Sequence, residues 1–206
     1  MEDKTEKNRT IGIVGGMGPW AGIDLAQHIT RMTQSKGDQQ HHDFVMMSFP
    51  GSITDRTSFI ENTEALNPAH SISAIIHKLE MMGAEVVGMA CNSSHVPEIY
   101  DVVIDELKKM NSSVQMVHMP RETCRFIREE YPLAKRVGVM STNGTYNAGL
   151  YEDLLNDMGF EVILPNEGFQ RNVIHEMIYS PIYGIKSTGD LILPRLKRLL
   201  YQALDF

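Results

Sequence analysis

Short β-type runs alternate with amphipathic helical patterns along the chain, and this alternation constrains the fold more than any other feature. The runs are consecutively apolar, which is typical of strands that are buried on both faces of a parallel sheet. Parallel strands need long crossover connections, usually helices. The sequence therefore predicts an α/β protein built on parallel sheets. Strands are predicted at 11–16, 44–49, 85–91, 114–119, 136–141 and 161–165, and helices at 19–34, 63–82, 97–110, 121–130, 147–159, 167–179 and 187–203.

The order of elements before and after about residue 115 is loosely similar, as in a duplicated domain. We predict a polar tail at 1–10, a first α/β domain at 11–115 and a second at 116–206. Another strand normally follows a helix such as 187–203, but only three residues remain. We therefore expect the second domain to lack its last strand, and an unpaired sheet edge of that kind favours self-association.

Charge and composition exclude several classes of protein. The net charge is -7 and no basic cluster stands out, so we expect no nucleic-acid partner. No apolar stretch has the length of a membrane span, and the first ten residues do not resemble a signal peptide. The two cysteines cannot form a disulfide framework or a four-ligand zinc site. We expect a cytoplasmic protein that binds no metal.

The segment 16–21, GMGPWA, fits the dinucleotide pattern G-x-G-x-x-G/A between a strand and a helix. An acidic residue should then end the second strand, but Asp43 precedes that strand instead. Pro19 also removes one backbone donor that a phosphate would use. The sequence favours glycines that permit a tight turn, and it leaves open a small anion bound at the start of the helix.

Cys91 follows a predicted buried strand and precedes three polar residues, Asn92, Ser93 and Ser94. Most free cysteines are small buried hydrophobic residues. Donors around a thiolate, however, lower the thiol pKa from about 8.5 towards neutrality, and such a group can take and return a proton. The pattern makes Cys91 a candidate acid/base. His95 permits a second interpretation, a Cys–His hydrolase, although a histidine four residues away also serves to cap or pack.

Two cations are candidates for binding a carboxylate. Arg56 belongs to a polar loop after the second strand, where a guanidinium can form two hydrogen bonds to a carboxylate. Lys186 follows the segment SPIYGI and is the second candidate. A solvent-exposed surface position is the alternative for each of them. Cys124 lies within a predicted helix and is interpreted as structural, and the pair His41-His42 as part of a solvated loop.

Five segments of the chain stand out together: IGIVGGMGP, DRT, MACNSSH, STNGTYNAGLY and IYGIK. In this order they resemble motifs of the PLP-independent aspartate/glutamate racemases, and the resemblance covers about residues 10–190. The resemblance implies two similar α/β domains with the active site in the cleft between them, a homodimer, and no cofactor. It also implies that two cysteines flank the α-carbon of a small dicarboxylic amino acid, one removing the proton and the other returning it.

The resemblance implies functional roles for individual residues. It makes Cys91 the catalytic acid/base of the first domain, and it gives both cations a substrate carboxylate to bind. The implied substrate-binding residues are Met17, Arg56, Asn92, Ser93, Ser94, Thr145 and Lys186.

Three positions depart from the family pattern. Ser93 and Ser94 stand where the family has threonine and a small residue, and Asn143 stands where a basic residue is common. The second cysteine, in a Gly-Cys-Thr segment, is expected beyond the end of this sequence. With one thiol, the chain is expected to exchange the α-hydrogen of one enantiomer and to racemise slowly or not at all.

Other functions remain open at the level of sequence. One is a single-thiol enzyme that decarboxylates or isomerises a dicarboxylate. Another is a non-catalytic dicarboxylate-binding protein, which would not need Cys91, and the last is a dinucleotide-binding module.

Overall fold

A computed structural model describes residues 9–62, 65–189 and 191–204. The chain divides into two compact units. Unit 1 contains the described residues up to Asp55 and residues 65–119, and unit 2 contains Arg56–Asn62 and the described residues from Pro120 onward. Residues 1–8 of the predicted polar tail lie outside the described residues, and the domain limits 11–115 and 116–206 stay predictions.

The elements alternate as the sequence predicts. The strands are β1 Ile11–Gly15, β2 Phe44–Ser48, β3 Val86–Met89, β4 Gln115–Val117, β5 Arg136–Gly138 and β6 Glu161–Ile163. The helices are α1 Pro19–Met32, α2 Arg56–Glu61, α3 Ala69–Met81, α4 Pro97–Lys109, α5 Met119–Glu130, α6 Asn143–Asn147, α7 Leu150–Asp157, α8 Glu167–Phe169, α9 Glu176–Tyr179, α10 Ile185–Thr188 and α11 Pro194–Leu204. A π-helical segment, Gln170–His175, connects α8 to α9, and 3₁₀ turns occupy Asp38–Gln40, Pro50–Ser52 and Asn92–His95.

Unit 1 is built on a four-stranded sheet in the order β2-β1-β3-β4. Every pair of strands in it is parallel, with Ile13 of β1 opposite Met46 of β2 and Gly88 of β3. The carboxyl ends of the four strands therefore lie along one edge, where open α/β sheets bind ligands. The predicted α/β fold with a parallel sheet is confirmed.

Local signals explain where the helices of unit 1 begin and end. Pro19 is the first residue of α1, a position where its missing N–H costs nothing. Helix α3 ends before Gly83, whose φ of 93° suits glycine. The inner face of α3 is fully buried through Ile72, Ile76 and Leu79, so this helix covers the sheet with apolar side chains.

Unit 2 has a two-stranded parallel sheet, β5-β6, among its described residues. Cys124 of α5 packs with Leu155 and Phe160 in one buried apolar cluster. Helix α2 belongs to this unit because it packs closely against α6. A Cβ added to Gly144 would lie 3.1 Å from both Cα and Oγ1 of Thr57.

Three sequence predictions about helices are corrected. The loop predicted around Arg56 contains helix α2 instead. The helix predicted at 187–203, with Pro194 as the residue expected to bend or divide it, is divided: the chain turns at Gly189, with a φ of 64°, and α11 begins at Pro194. The helix predicted at 147–159 is divided at Gly149, where φ is 63°.

The start of α3 and the lengths of the described helices bear on two further predictions. The helix predicted from residue 63 begins at Ala69, and residues 63–64 lie outside the described part of the chain. Within the described ranges, no helix combines the length and the apolar character needed to cross a membrane.

Candidate active site

Cys91 lies at the carboxyl edge of the unit 1 sheet, two residues beyond the end of β3. Its side chain is buried, with 9% of the residue exposed. The following residues form the 3₁₀ turn Asn92–His95, in which Ser93 and Ser94 are buried. The strand end that the sequence predicts for Cys91 is observed, whereas its catalytic role stays a prediction.

The His95 imidazole bonds to the backbone at the start of this turn and to the backbone after β4. Its Nδ1 lies 2.7 Å from the carbonyl oxygen of Cys91, and its Nε2 lies 3.3 Å from the backbone nitrogen of Met119. The Met119 N–H can only donate, so Nε2 accepts and Nδ1 carries the proton that is donated to Cys91. Both ring nitrogens thus bond to main-chain groups. This arrangement favours the capping interpretation of His95 over a base for the Cys91 thiol.

Burial keeps this imidazole neutral at physiological pH. Burial lowers the pKa of His95 to about 4, and the neighbouring His118 acts in the same direction. The hydrogen bond to the Cys91 carbonyl opposes this effect but does not overcome it. The His95 ring stacks on Tyr100, with ring centroids 5.4 Å apart, and meets the edge of His118 at 4.9 Å. His95 is therefore a rigid, uncharged support beneath the Cys91 loop.

Met17, in the glycine loop after β1, contacts the Cys91 loop directly. The Ser94 hydroxyl donates to the Met17 sulfur over 3.2 Å, and both residues are buried. Gly16 has a φ of 89°, and a Cβ there would lie 3.0 Å from the backbone nitrogen of Pro50. The glycine loop is thus packed against the segment after β2, which supports the tight-turn interpretation of this motif.

The predicted site residues of unit 2 lie on three elements. Arg56 is the first residue of α2 and is 6% exposed, so the surface alternative for this arginine is wrong. Thr145 is buried in α6, where its N–H donates to the Thr142 hydroxyl over 3.4 Å. Lys186 is exposed on α10, as its surface alternative expects, and its ammonium donates to the Tyr179 hydroxyl over 2.8 Å.

Thr57 connects two of these elements. Its hydroxyl lies 3.2 Å from that of Tyr179, which links the helix of Arg56 to the Lys186 segment. Within unit 2 the structure therefore connects the elements that carry Arg56, Thr145 and Lys186. Within unit 1 it places Met17 beside the Cys91 loop. Sequence reasoning missed Thr57 and Tyr179, because their contacts are non-local and no spacing signals them.

Cys124 plays the structural role that the sequence assigns to it, but the solvated loop predicted for His41-His42 is not observed. Both histidines are half-buried, and the Nδ1 atom of each is buried. Cys124 is fully buried, and burial raises the pKa of its thiol. His41 belongs to an irregular segment, where its Nε2 lies 2.8 Å from the hydroxyl of Ser35. Among the described residues, no group of three His, Cys, Asp or Glu side chains is arranged to hold a metal ion.

Known proteins are similar to this chain in sequence and in fold. The family model for Asp/Glu/Hydantoin racemase matches residues 14–179. The broad specificity amino-acid racemase RacX of Bacillus subtilis (strain 168) is 30% identical over 158 residues, which is 74% of this chain and 63% of RacX. This chain therefore spans less than two thirds of the length of that relative.

Solved structures show the same fold. The aspartate racemase of Picrophilus torridus superposes with a TM-score of 0.76 at 24% identity, covering 96% of this chain and 75% of the other. An aspartate racemase homologue from Pyrococcus horikoshii OT3 has a TM-score of 0.60 at 23% identity, covering 82% and 70%. The family match includes every predicted site residue except Lys186 and covers well over half of the chain, so this protein belongs to the Asp/Glu/hydantoin racemase family.

Proposed function

We propose that this protein is a cofactor-independent amino-acid racemase of the aspartate/glutamate type, with Cys91 as an acid/base at the α-carbon. The observation that carries the proposal is the position of Cys91. Its buried thiol lies at the carboxyl edge of a parallel sheet, beside the Met17–Ser94 contact and inside the residues that match the family. Ligands bind at this edge in open α/β sheets.

The chemistry begins with proton transfer to sulfur. The Cys91 thiolate takes the α-proton, so the C–H bond breaks, an S–H bond forms, and the electron pair moves into the adjacent carboxylate. The carbon becomes planar. Return of the proton from Cys91 to the same face restores the enantiomer. Inversion needs a second acid that donates a proton to the opposite face, after which the Cys91 thiol releases its proton to solvent. We assign Asn92 and Ser93 as donors for the thiolate, because the Ser94 hydroxyl already donates to the Met17 sulfur.

We assign Arg56 and Lys186 of unit 2 to stabilise the negative charge on the substrate carboxylates. A carbanion next to a carboxylate is costly unless that carboxylate is neutralised, and a guanidinium can do this with two parallel hydrogen bonds. Arg56 is buried at the start of α2 and suits this role, while Lys186 contributes a point charge. Thr145 offers a hydroxyl on the adjacent α6. This set favours a small dicarboxylic amino acid, aspartate or glutamate.

The decisive experiment follows the α-hydrogen by proton NMR in heavy water. Each enantiomer of aspartate and of glutamate is incubated separately with the parent, with Cys91→Ser and with Cys124→Ala as the matched thiol control. We expect the parent and Cys124→Ala to replace the α-hydrogen with deuterium. Cys91→Ser should slow exchange by about 100-fold or more, as expected for loss of an acid/base.

Other outcomes have defined meanings. Exchange by Cys91→Ser at the parental rate would remove Cys91 from the chemistry. Binding of a dicarboxylate by the parent without any exchange would identify a binding protein instead of an enzyme.

The remaining expectations concern the setting of the protein. Both cysteines are free thiols, which supports a reducing cytoplasm as its location. We expect a homodimer, and light scattering coupled to size exclusion at micromolar concentration measures it. A monomer at all accessible concentrations would contradict that expectation.

A further inference from the structure

Tyr179, in the last turn of α9, has two polar partners at its hydroxyl. The Lys186 ammonium donates to the hydroxyl oxygen over 2.8 Å, and the Thr57 hydroxyl lies 3.2 Å from the same atom. Since a phenol both accepts and donates, Tyr179 can accept from Lys186 while it donates to Thr57. The Lys186 nitrogen also lies 3.9 Å from the centroid of the Tyr179 ring, within the range of a cation–π contact.

The Tyr179 ring has a further aromatic neighbour. It stacks on the His175 imidazole, with centroids 4.6 Å apart and planes at 15°. The Nδ1 of His175 lies 3.2 Å from the backbone nitrogen of Asn143, whose N–H donates to it. Asn143 is the first residue of α6, so the stack connects Tyr179 to the segment that carries Thr145.

Tyr179 therefore links three segments that are distant in sequence but belong to the same unit. It reaches α2 through Thr57, α6 through His175 and α10 through Lys186. Buried Gln170 reinforces the α6 end, because its amide donates to the Ser141 carbonyl over 2.9 Å and to the Asn143 side chain over 3.1 Å. These segments carry the candidate carboxylate-binding residues of unit 2.

We propose that Tyr179 is a positioning residue for the carboxylate-binding cations, and that it fixes the Lys186 ammonium before substrate arrives. This inference rests on the proposed function and deepens it. A lysine has a long, flexible side chain, and ordering such a side chain on binding weakens affinity. The bond to Tyr179 uses one of three ammonium donors and sets the direction of the others. Tyr179 thereby lowers the entropic cost of binding a dicarboxylate.

The first test is a double-mutant cycle that uses calorimetric dissociation constants for aspartate and glutamate. Tyr179→Phe keeps the ring, its stack on His175 and the cation–π contact, but it removes the hydroxyl. We expect binding to weaken by about 3- to 10-fold, the effect of one hydrogen bond. Lys186→Met should weaken binding more, and adding Tyr179→Phe to Lys186→Met should then change affinity by less than about twofold.

A matched control comes from Tyr183 in the same unit. Its hydroxyl bonds to Glu176 over 3.1 Å and its ring contacts Arg195, so it resembles Tyr179 in having a polar partner and a cation. Tyr183→Phe should leave dicarboxylate affinity unchanged. Equal losses in Tyr179→Phe and Tyr183→Phe would indicate a general structural effect and would overturn the inference, as would equal effects of Tyr179→Phe with and without Lys186.

A second test needs no substrate. In protein labelled with [ε-¹³C]lysine, the signal that disappears in Lys186→Met identifies Lys186. We expect Tyr179→Phe to narrow this signal and move it towards the other lysines, because the side chain gains freedom. An unchanged Lys186 signal overturns the inference even if the substrate proves to be something else. If the parent binds neither aspartate nor glutamate, the proposed function fails, and this spectrum alone decides the role of Tyr179.

Discussion

Replacing His95 with phenylalanine tests the neutral support beneath Cys91. The ring keeps its place against Tyr100 and His118, but the carbonyl of Cys91 and the N–H of Met119 both lose their imidazole partner. Each such loss in a buried site costs about 1–3 kcal/mol. We therefore expect the free energy of unfolding at pH 8 to fall by about 2–4 kcal/mol.

The free energy of unfolding of the parent should fall as the pH is lowered, because His95 has a lower pKa in the folded chain than in the unfolded chain. The pKa of His95 is about 4 in the folded chain, against a reference value of 6.5. Below pH 6.5 the unfolded chain binds a proton that the folded chain does not, so stability is lost as the pH falls towards 4. Between pH 8 and pH 5 this imidazole should cost the parent about 2 kcal/mol, at about 1.4 kcal/mol per pH unit. His95→Phe lacks this loss, so the stability difference between the two proteins should shrink by about 2 kcal/mol between pH 8 and pH 5.

Trp20 provides the assay, because it is the only tryptophan and belongs to α1 of unit 1. Urea unfolding followed by its fluorescence, from pH 8 to pH 5, gives both free energies. His28→Gln is the control, since His28 is an exposed histidine of the same helix. An NMR titration of the parent measures the pKa directly. The reasoning is refuted if His95 titrates near 6.5, or if the stability difference stays constant with pH.

Four further predictions concern other positions. Gly16→Ala should lower the free energy of unfolding by about 1–3 kcal/mol in urea melts, because φ is 89° and a Cβ would lie 3.0 Å from the Pro50 nitrogen. An unchanged urea melt would contradict the close packing of this loop. Cys124→Ser should lower the free energy of unfolding by about 1–3 kcal/mol, because it places a hydroxyl against Leu155. In the native parent, a maleimide should modify Cys91 before Cys124, and mass spectrometry of digests can check this order. Arg56→Ala should weaken aspartate binding by about 10- to 100-fold in calorimetry, and unchanged affinity would remove Arg56 from the site.

The sequence predicts the alternation of strands and helices well, because that alternation is carried by local patterns. Runs such as 44–47 are apolar throughout, and Pro19 and Gly83 mark the start and end of helices. The position of Cys91 at a strand end follows from the same local pattern. These predictions need only the periodicity and turn preferences of neighbouring residues.

Features that depend on distant contacts escaped prediction. Helix α2 has six residues, too few for a helical period to be recognised, and it packs against Gly144, which is far along the chain. The interaction of Tyr179 with Thr57 likewise joins residues 122 positions apart. For His95 the sequence left capping and catalysis open, because the partner at Nε2 is the backbone of Met119, 24 positions away.

The assignment of α2 to unit 2 has a consequence for synthesis on the ribosome. Arg56–Asn62 is made well before α6, although the two pack together through Thr57 and Gly144. At roughly 5–20 residues per second, the emerging α2 waits on the order of 4–18 s for its partner. During that interval the strands β1 to β4 have already left the tunnel in order and can pair. The sheet of unit 1 can therefore form before α2 meets α6, and until then Thr57 and Phe59, which are buried in the folded chain, remain exposed to solvent.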